Sequence, residues 1–116
     1  MKTFIAAKIQ NIRVTGKSID YAGSASICPL LMKKAGIEPY EQVTIVNLAN
    51  GQRWITYAIE AEQKGDFLLN GGAARLGEVG DRCLVFTYVT SESFNGARVL
   101  FTNHQNEVER ELEYPL

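Results

Sequence analysis

Gly23 and Ser24 place a hydroxyl nucleophile beside a peptide carbonyl that carries no obstructing side chain. A serine Oγ there can attack the carbonyl of the preceding residue. Alone the dipeptide is a poor signal, because Gly and Ser are default turn residues. Other groups able to do chemistry are thinly spread. His104 is the single histidine and falls in a polar, turn-like stretch. That excludes a multi-histidine metal centre, so no metal site is expected, and it weakens a Ser-His-Asp scheme. Cys28 and Cys83 are far apart without CxxC spacing. Two lone buried thiols fit them better than a disulfide or a metal site. Lys8, Arg53 and Tyr57 remain, each with an ordinary alternative: a lysine whose stem packs while its ammonium reaches water, a surface arginine beside a hairpin, and a half-buried strand tyrosine.

The elements that must position these groups can be read from periodicity. Residues 3–15 predict a strand, with Phe4, Ala6, Lys8, Gln10, Ile12 and Val14 alternating onto one face. Gly16-Lys17-Ser18 predicts a turn, and residues 19–27 an extended run through the Gly-Ser pair. Residues 28–36 predict a short helix, with Pro29 in its first turn and Gly36 at its C-cap. The β-branched run 43–48, Asn50-Gly51 and the run 53–59 predict a hairpin. Its return strand carries Arg53 and Tyr57 on one face, roughly 13 Å apart. Residues 67–69 form an apolar strand that leads into Asn70-Gly71-Gly72-Ala73-Ala74. Those small residues permit close backbone approach to a ligand or another strand; the plainer reading is a loop and a helical turn. Further strands are predicted at 83–89 and 99–101. The tail from Glu107 carries five charged residues and reads as peripheral.

The 116 residues suit one domain with a modest core that association would help. A net charge of −1 offers no basic surface for nucleic acid. No apolar run reaches membrane-spanning length, and the first residues lack a signal-peptide core, so the default expectation is cytoplasmic with no membrane partner. Many short strands with Gly-rich turns and short helices argue for a mainly β fold, a small closed barrel.

Four short patterns then fall in register. They are Lys8-Ile9, Tyr21-x-Gly23-Ser24, Asn50-Gly51-x-Arg53-x-x-Thr56-Tyr57-Ala58-Ile59, and Asn70-Gly71-x-Ala73-Ala74 followed by Val79-Gly80-Asp81. With these, the chain resembles the pyruvoyl-dependent aspartate 1-decarboxylase family from about Lys8 to Val89. The resemblance implies a six-stranded double-psi β-barrel. It also implies a homotetramer with active sites between subunits, and an enzyme that makes β-alanine and CO2 from L-aspartate for pantothenate and coenzyme A. It assigns Ser24 as the precursor of a pyruvoyl cofactor, with cleavage into a β chain of residues 1–23 and an α chain of residues 24–116. Gly23 and Thr56 would assist that processing. The pyruvoyl ketone would form a Schiff base with the substrate amine and accept electrons as CO2 leaves. Lys8 and Arg53 match residues that hold substrate carboxylates, and Tyr57 the one that returns a proton to Cα. Asn70, Gly71, Gly72, Ala73 and Ala74 would line the pocket.

The chain also departs from the family. Gln10-Asn11 stand where histidine and arginine are usual, Ala25 follows the serine, and Gly72 replaces an alanine. These changes leave open a divergent member acting on a modified aspartate or another small acidic amino acid. A non-catalytic, unprocessed barrel serving as a binding or assembly module is a third reading. An accessory maturation factor stands as an additional partner to be tested.

Overall fold

The computed structural model describes residues 1–116. Nine strands, one α-helix and one 3-10 helix follow in the order β1 (Lys2–Arg13), β2 (Gly16–Ser18), β3 (Ser24–Ile27), α1 (Pro29–Ala35), β4 (Gln42–Asn47), β5 (Arg53–Glu60), β6 (Phe67–Asn70), η1 (Gly71–Leu76), β7 (Arg82–Ser91), β8 (Ala97–Thr102) and β9 (Val108–Tyr114). The strands form one sheet in the order β2-β6-β3-β5-β4-β7-β1-β8-β9. The continuous segment Lys2–Ser18 supplies both β1 and β2, so the sheet starts and nearly ends on the same piece of chain. Thr15 N–H also donates to Phe67 O at 2.8 Å, which ties that segment to β6. Counted once, it closes a ring of six with β6, β3, β5, β4 and β7; β8 and β9 lie alongside β1. Three pairings are parallel, β1 with β8, β2 with β6 and β3 with β5, so strands distant in sequence interlock.

The ring encloses Ile9, Ile12, Ile27, Ile45, Phe67, Leu69 and Val85, all fully buried, and α1 closes one side with Leu31 and Met32. Each such side chain contributes about 1.5–3 kcal/mol by leaving water. Cys28 and Cys83 are buried free thiols. Burial, with the Asp81 charge nearby, pushes the Cys83 thiol up to about 12, so it stays neutral.

Several expectations need correction. Gly16–Ser18 is a strand paired with β6, not a turn. Of the predicted run 19–27 only Ser24–Ile27 is a strand; residues 19–23 turn and bend at the surface. The charged tail, read as peripheral, is the edge strand: β9 pairs with β8, with Glu109, Glu111 and Glu113 exposed and Val108, Leu112 and Tyr114 partly buried. In β1, strict alternation fails because the register with β7 shifts twice. At the second shift Asn11 adopts φ 72, which asparagine tolerates better than most residues. Beyond it Ile12 and Val14 join Ala7 and Ile9 in the core, leaving Gln10 beside Lys8 on the outer side.

Candidate active site

Ser24 opens β3, and its whole strand is buried. Ser24 pairs with Asn70 in β6, and Ala25 pairs with Ala58 in β5. Ala25 and Ala58 face the core, so Ser24 and Asn70 turn to the opposite side, and the register sets Tyr57 level with Ser24. Asn70 Nδ2 donates to Ser24 Oγ at 3.0 Å and to Ser26 Oγ at 2.9 Å, a three-residue cluster shielded from water. Ser24 Oγ can give its own proton to Ala22 O at 3.5 Å.

Immediately after Asn70 the chain enters the left-handed region at Gly71, φ 69. A Cβ added there would fall 2.7 Å from Gly23 Cα, 3.0 Å from Gly23 N and 3.1 Å from Tyr21 O. The backbone of Gly71 therefore lies directly against Gly23, the residue that precedes Ser24. A Cβ on Gly23 or on Gly72 would meet nothing within 4 Å. Gly23 is exposed while Ser24 is 2% exposed, so the bond runs from surface to interior in one residue. Asn70 to Ala74, predicted as loop and helical turn, forms the end of β6 and the start of η1.

The far end of η1 is anchored by groups outside the predicted set. Asn47 Nδ2 donates to Leu76 O at 3.1 Å and to Asp81 Oδ2 at 2.9 Å, and Glu78 N–H donates to the same oxygen at 2.9 Å. The Asn47 amide, then the Glu78 N–H, hold the Asp81 carboxyl below the usual aspartate value. A depressed folded-state pKa means that this stabilisation is present above the unfolded carboxyl pKa, and is lost as pH falls through the folded one. Replacing Asp81 by Asn is expected to lower the melting midpoint by a few degrees at neutral pH. The variant should lose less than wild type on further acidification below pH about 4. Thermal melts of both proteins across pH check this; parallel curves would contradict it.

Lys8 and Arg53 lie elsewhere on the outer side. Lys8 pairs with Phe86, and Phe86 with Thr44. The Arg53 guanidinium carbon lies 5.5 Å from the centre of the Phe86 ring, a cation–π contact. Neither cation has a carboxylate within 4.0 Å. Phe86 thus joins the two expected carboxylate binders, a role that no sequence pattern announced. Tyr57 stacks on Tyr40 at 6.3 Å and is 37% exposed. Thr56 is on the inward side, opposite Val43 and two residues before Ala58, the partner of Ala25. Ser26, four residues from the surface at Ala22, was the nearest omission: i, i+2 spacing on a strand puts it on Ser24's side. The structure therefore brings together Gly23, Ser24, Asn70 and Gly71, leaves Tyr57 stacked on Tyr40, and groups Lys8 with Arg53 around Phe86.

The sequence matches the family described as aspartate decarboxylase over residues 1–109. An aspartate 1-decarboxylase of Trichormus variabilis is 56% identical over 88 residues, covering 75% of this chain and 69% of that one. One from Acaryochloris marina is 46% identical over 112 residues, covering 92% and 86%. One from Thermosipho africanus is 42% identical over 108 residues, covering 90% and 89%. The chain belongs to the aspartate decarboxylase family, and its ring of strands is that family's double-psi β-barrel.

Proposed function

We propose that the protein cuts its own Gly23–Ser24 bond, gains a pyruvoyl group at residue 24, and decarboxylates L-aspartate to β-alanine and CO2. One observation carries this reading. The Ser24 hydroxyl is buried in the grip of Asn70, while Gly23 before it rests against the Gly71 backbone, where no side chain fits. Such a hydroxyl is held out of water one residue from the carbonyl it would attack. Ser24 Oγ bonds to the Gly23 carbonyl carbon as the C–N bond breaks and the amine takes the proton. The Ser24 Cα proton and the Cβ–O bond are then lost, leaving Gly23 as a carboxylate. One water replaces the nitrogen, which departs as ammonia. Thr56 would donate to the developing oxyanion.

The residues present fit a pyruvoyl group, since Asn70 already aims an N–H at position 24. When present, the group supplies a carbonyl sink for the electrons released with CO2. Arg53 and Lys8 then bind the substrate carboxylates, Arg53 through its planar fork. Tyr57 Oη returns a proton to Cα.

We infer that the complete site forms between two copies of the chain. Lys8 is on β1 and Arg53 leans away from β3 toward Phe86, so both cations gather where β7 joins β1 to β4. A second copy facing Ser24 can supply the cations, as expected of a homotetramer with sites between subunits. Exposed Tyr40, Ile55, Tyr57, Tyr88 and Val89 give apolar surface for that contact.

The relatives named as aspartate 1-decarboxylases favour aspartate over a modified aspartate, and an enzyme over a non-catalytic barrel. The test is intact mass followed by CO2 release. Two fragments meeting at Gly23/Ser24, the α chain lighter than its serine form by one ammonia, and turnover of aspartate well above glutamate and β-substituted aspartates are expected. A chain that stays at full mass even with host extract, which would supply any maturation factor, refutes the reading.

A further inference from the structure

We propose that Ser26 is a positioning residue for both stages of this chemistry: it fixes the Asn70 amide before and after residue 24 is transformed. This rests on the reading that Gly23–Ser24 is the processed bond. Asn70 Nδ2 has two N–H groups, and each has one serine, Ser24 Oγ at 3.0 Å and Ser26 Oγ at 2.9 Å. Ser24, Asn70 and Ser26 are 2%, 4% and 6% exposed, so water cannot readily replace either partner. The two serines are two residues apart on β3 and share the side that faces Asn70 across the β3–β6 pairing.

The two bonds have different fates. Cleavage carries the Ser24 oxygen away with the Gly23 carboxylate, so the N–H that met it loses its partner and is left aimed at residue 24. The bond to Ser26 is untouched. From then on Ser26 is the side chain that keeps the amide plane from turning, since the terminal torsion of asparagine is broad and weakly restrained by itself. Before cleavage the same bond sets the direction from which Asn70 donates to Ser24 Oγ. Ala25, between them, faces the core and has no polar group to offer.

The experiment compares wild type with Ser26→Ala, Ser26→Val and Ser26→Thr. Threonine and valine have nearly the same shape and suit a strand, but only threonine keeps the hydroxyl, so the pair separates hydrogen bonding from packing. Freshly purified proteins are followed by intact mass during incubation, then assayed once processed, with thermal melts alongside. Ser26→Ala and Ser26→Val should slow cleavage about three- to tenfold, the effect of one net hydrogen bond. After complete processing they should lower kcat by a similar factor and leave KM near wild type. Ser26→Thr should restore both rates. A wild-type chain that is cut while Ser26→Val keeps wild-type rates overturns this role alone. So does equal slowing in Ser26→Thr and Ser26→Val. A wild-type chain that is never cut overturns the processing reading and this one together.

Discussion

Replacing Ser24 by Ala is expected to leave the chain uncut at full mass and without measurable aspartate decarboxylation. Both losses should be complete, because Ser24 Oγ is at once the attacking atom and the origin of the group that would do the chemistry. No neighbour can stand in for it. Ala25 has no nucleophile, Ser26 Oγ is engaged by Asn70 two residues along, and the Cys28 thiol is buried. The fold should survive. One Asn70 N–H loses its partner at a cost of about 1–3 kcal/mol, while Ser26 retains the other, and the core side of β3 is unchanged. A folded, uncut and inactive variant therefore separates chemistry from stability. Intact mass, a thermal melt and a CO2-release assay on one preparation are sufficient. Activity in Ser24→Ala would mean that the reaction does not pass through residue 24.

Much of the architecture was legible because apolar periodicity and turn chemistry act locally. Pro29 and Gly36 bound α1 as read, and Gly36 adopts the left-handed C-cap at φ 79. Asn50-Gly51 sits at the β4–β5 hairpin, where Gly51 has φ 75. What escaped the sequence depends on contacts between distant segments. Gly16–Ser18 is a strand only because β6 lies beside it. The β1 bulge at Asn11 moves Ile12 and Val14 into the core, and a period-two count cannot anticipate an extra residue. The same holds for the site. Gly23-Ser24 and Asn70-Gly71 could be named from the four patterns in register, but Ser26 as a second acceptor and Phe86 beneath Arg53 appear only when β3 meets β6 and β7 joins β1 to β4. Gln10 and Asn11, where the chain leaves its family, also separate in space. Gln10 stays beside Lys8, whereas Asn11 turns the bulge and accepts from Arg82 Nη1 at 3.5 Å.

The second large effect is expected at Gly71, which touches no substrate in this scheme through a side chain. Alanine there meets two penalties. Its φ of 69 is left-handed, costing about 1–2 kcal/mol for a residue with a Cβ. Its Cβ would also lie 2.7 Å from Gly23 Cα, against backbone on both sides, so no flexible side chain can move to relieve the overlap. The segment must shift, and it would carry the Gly23–Ser24 bond away from Asn70. Gly71→Ala is expected to destabilise the fold by about 2–4 kcal/mol. It should slow cleavage by about 100-fold, the usual consequence of an ångström-scale misplacement of reacting groups. Gly72→Ala is the matched control, since its Cβ would meet nothing within 4 Å and its φ is not left-handed. That variant should melt within about 0.5 kcal/mol of wild type and cut at the wild-type rate. Equal damage from both substitutions would mean that the small-residue tract tolerates no side chain anywhere, and that the single close approach between Gly71 and Gly23 does not set the geometry of the scissile bond.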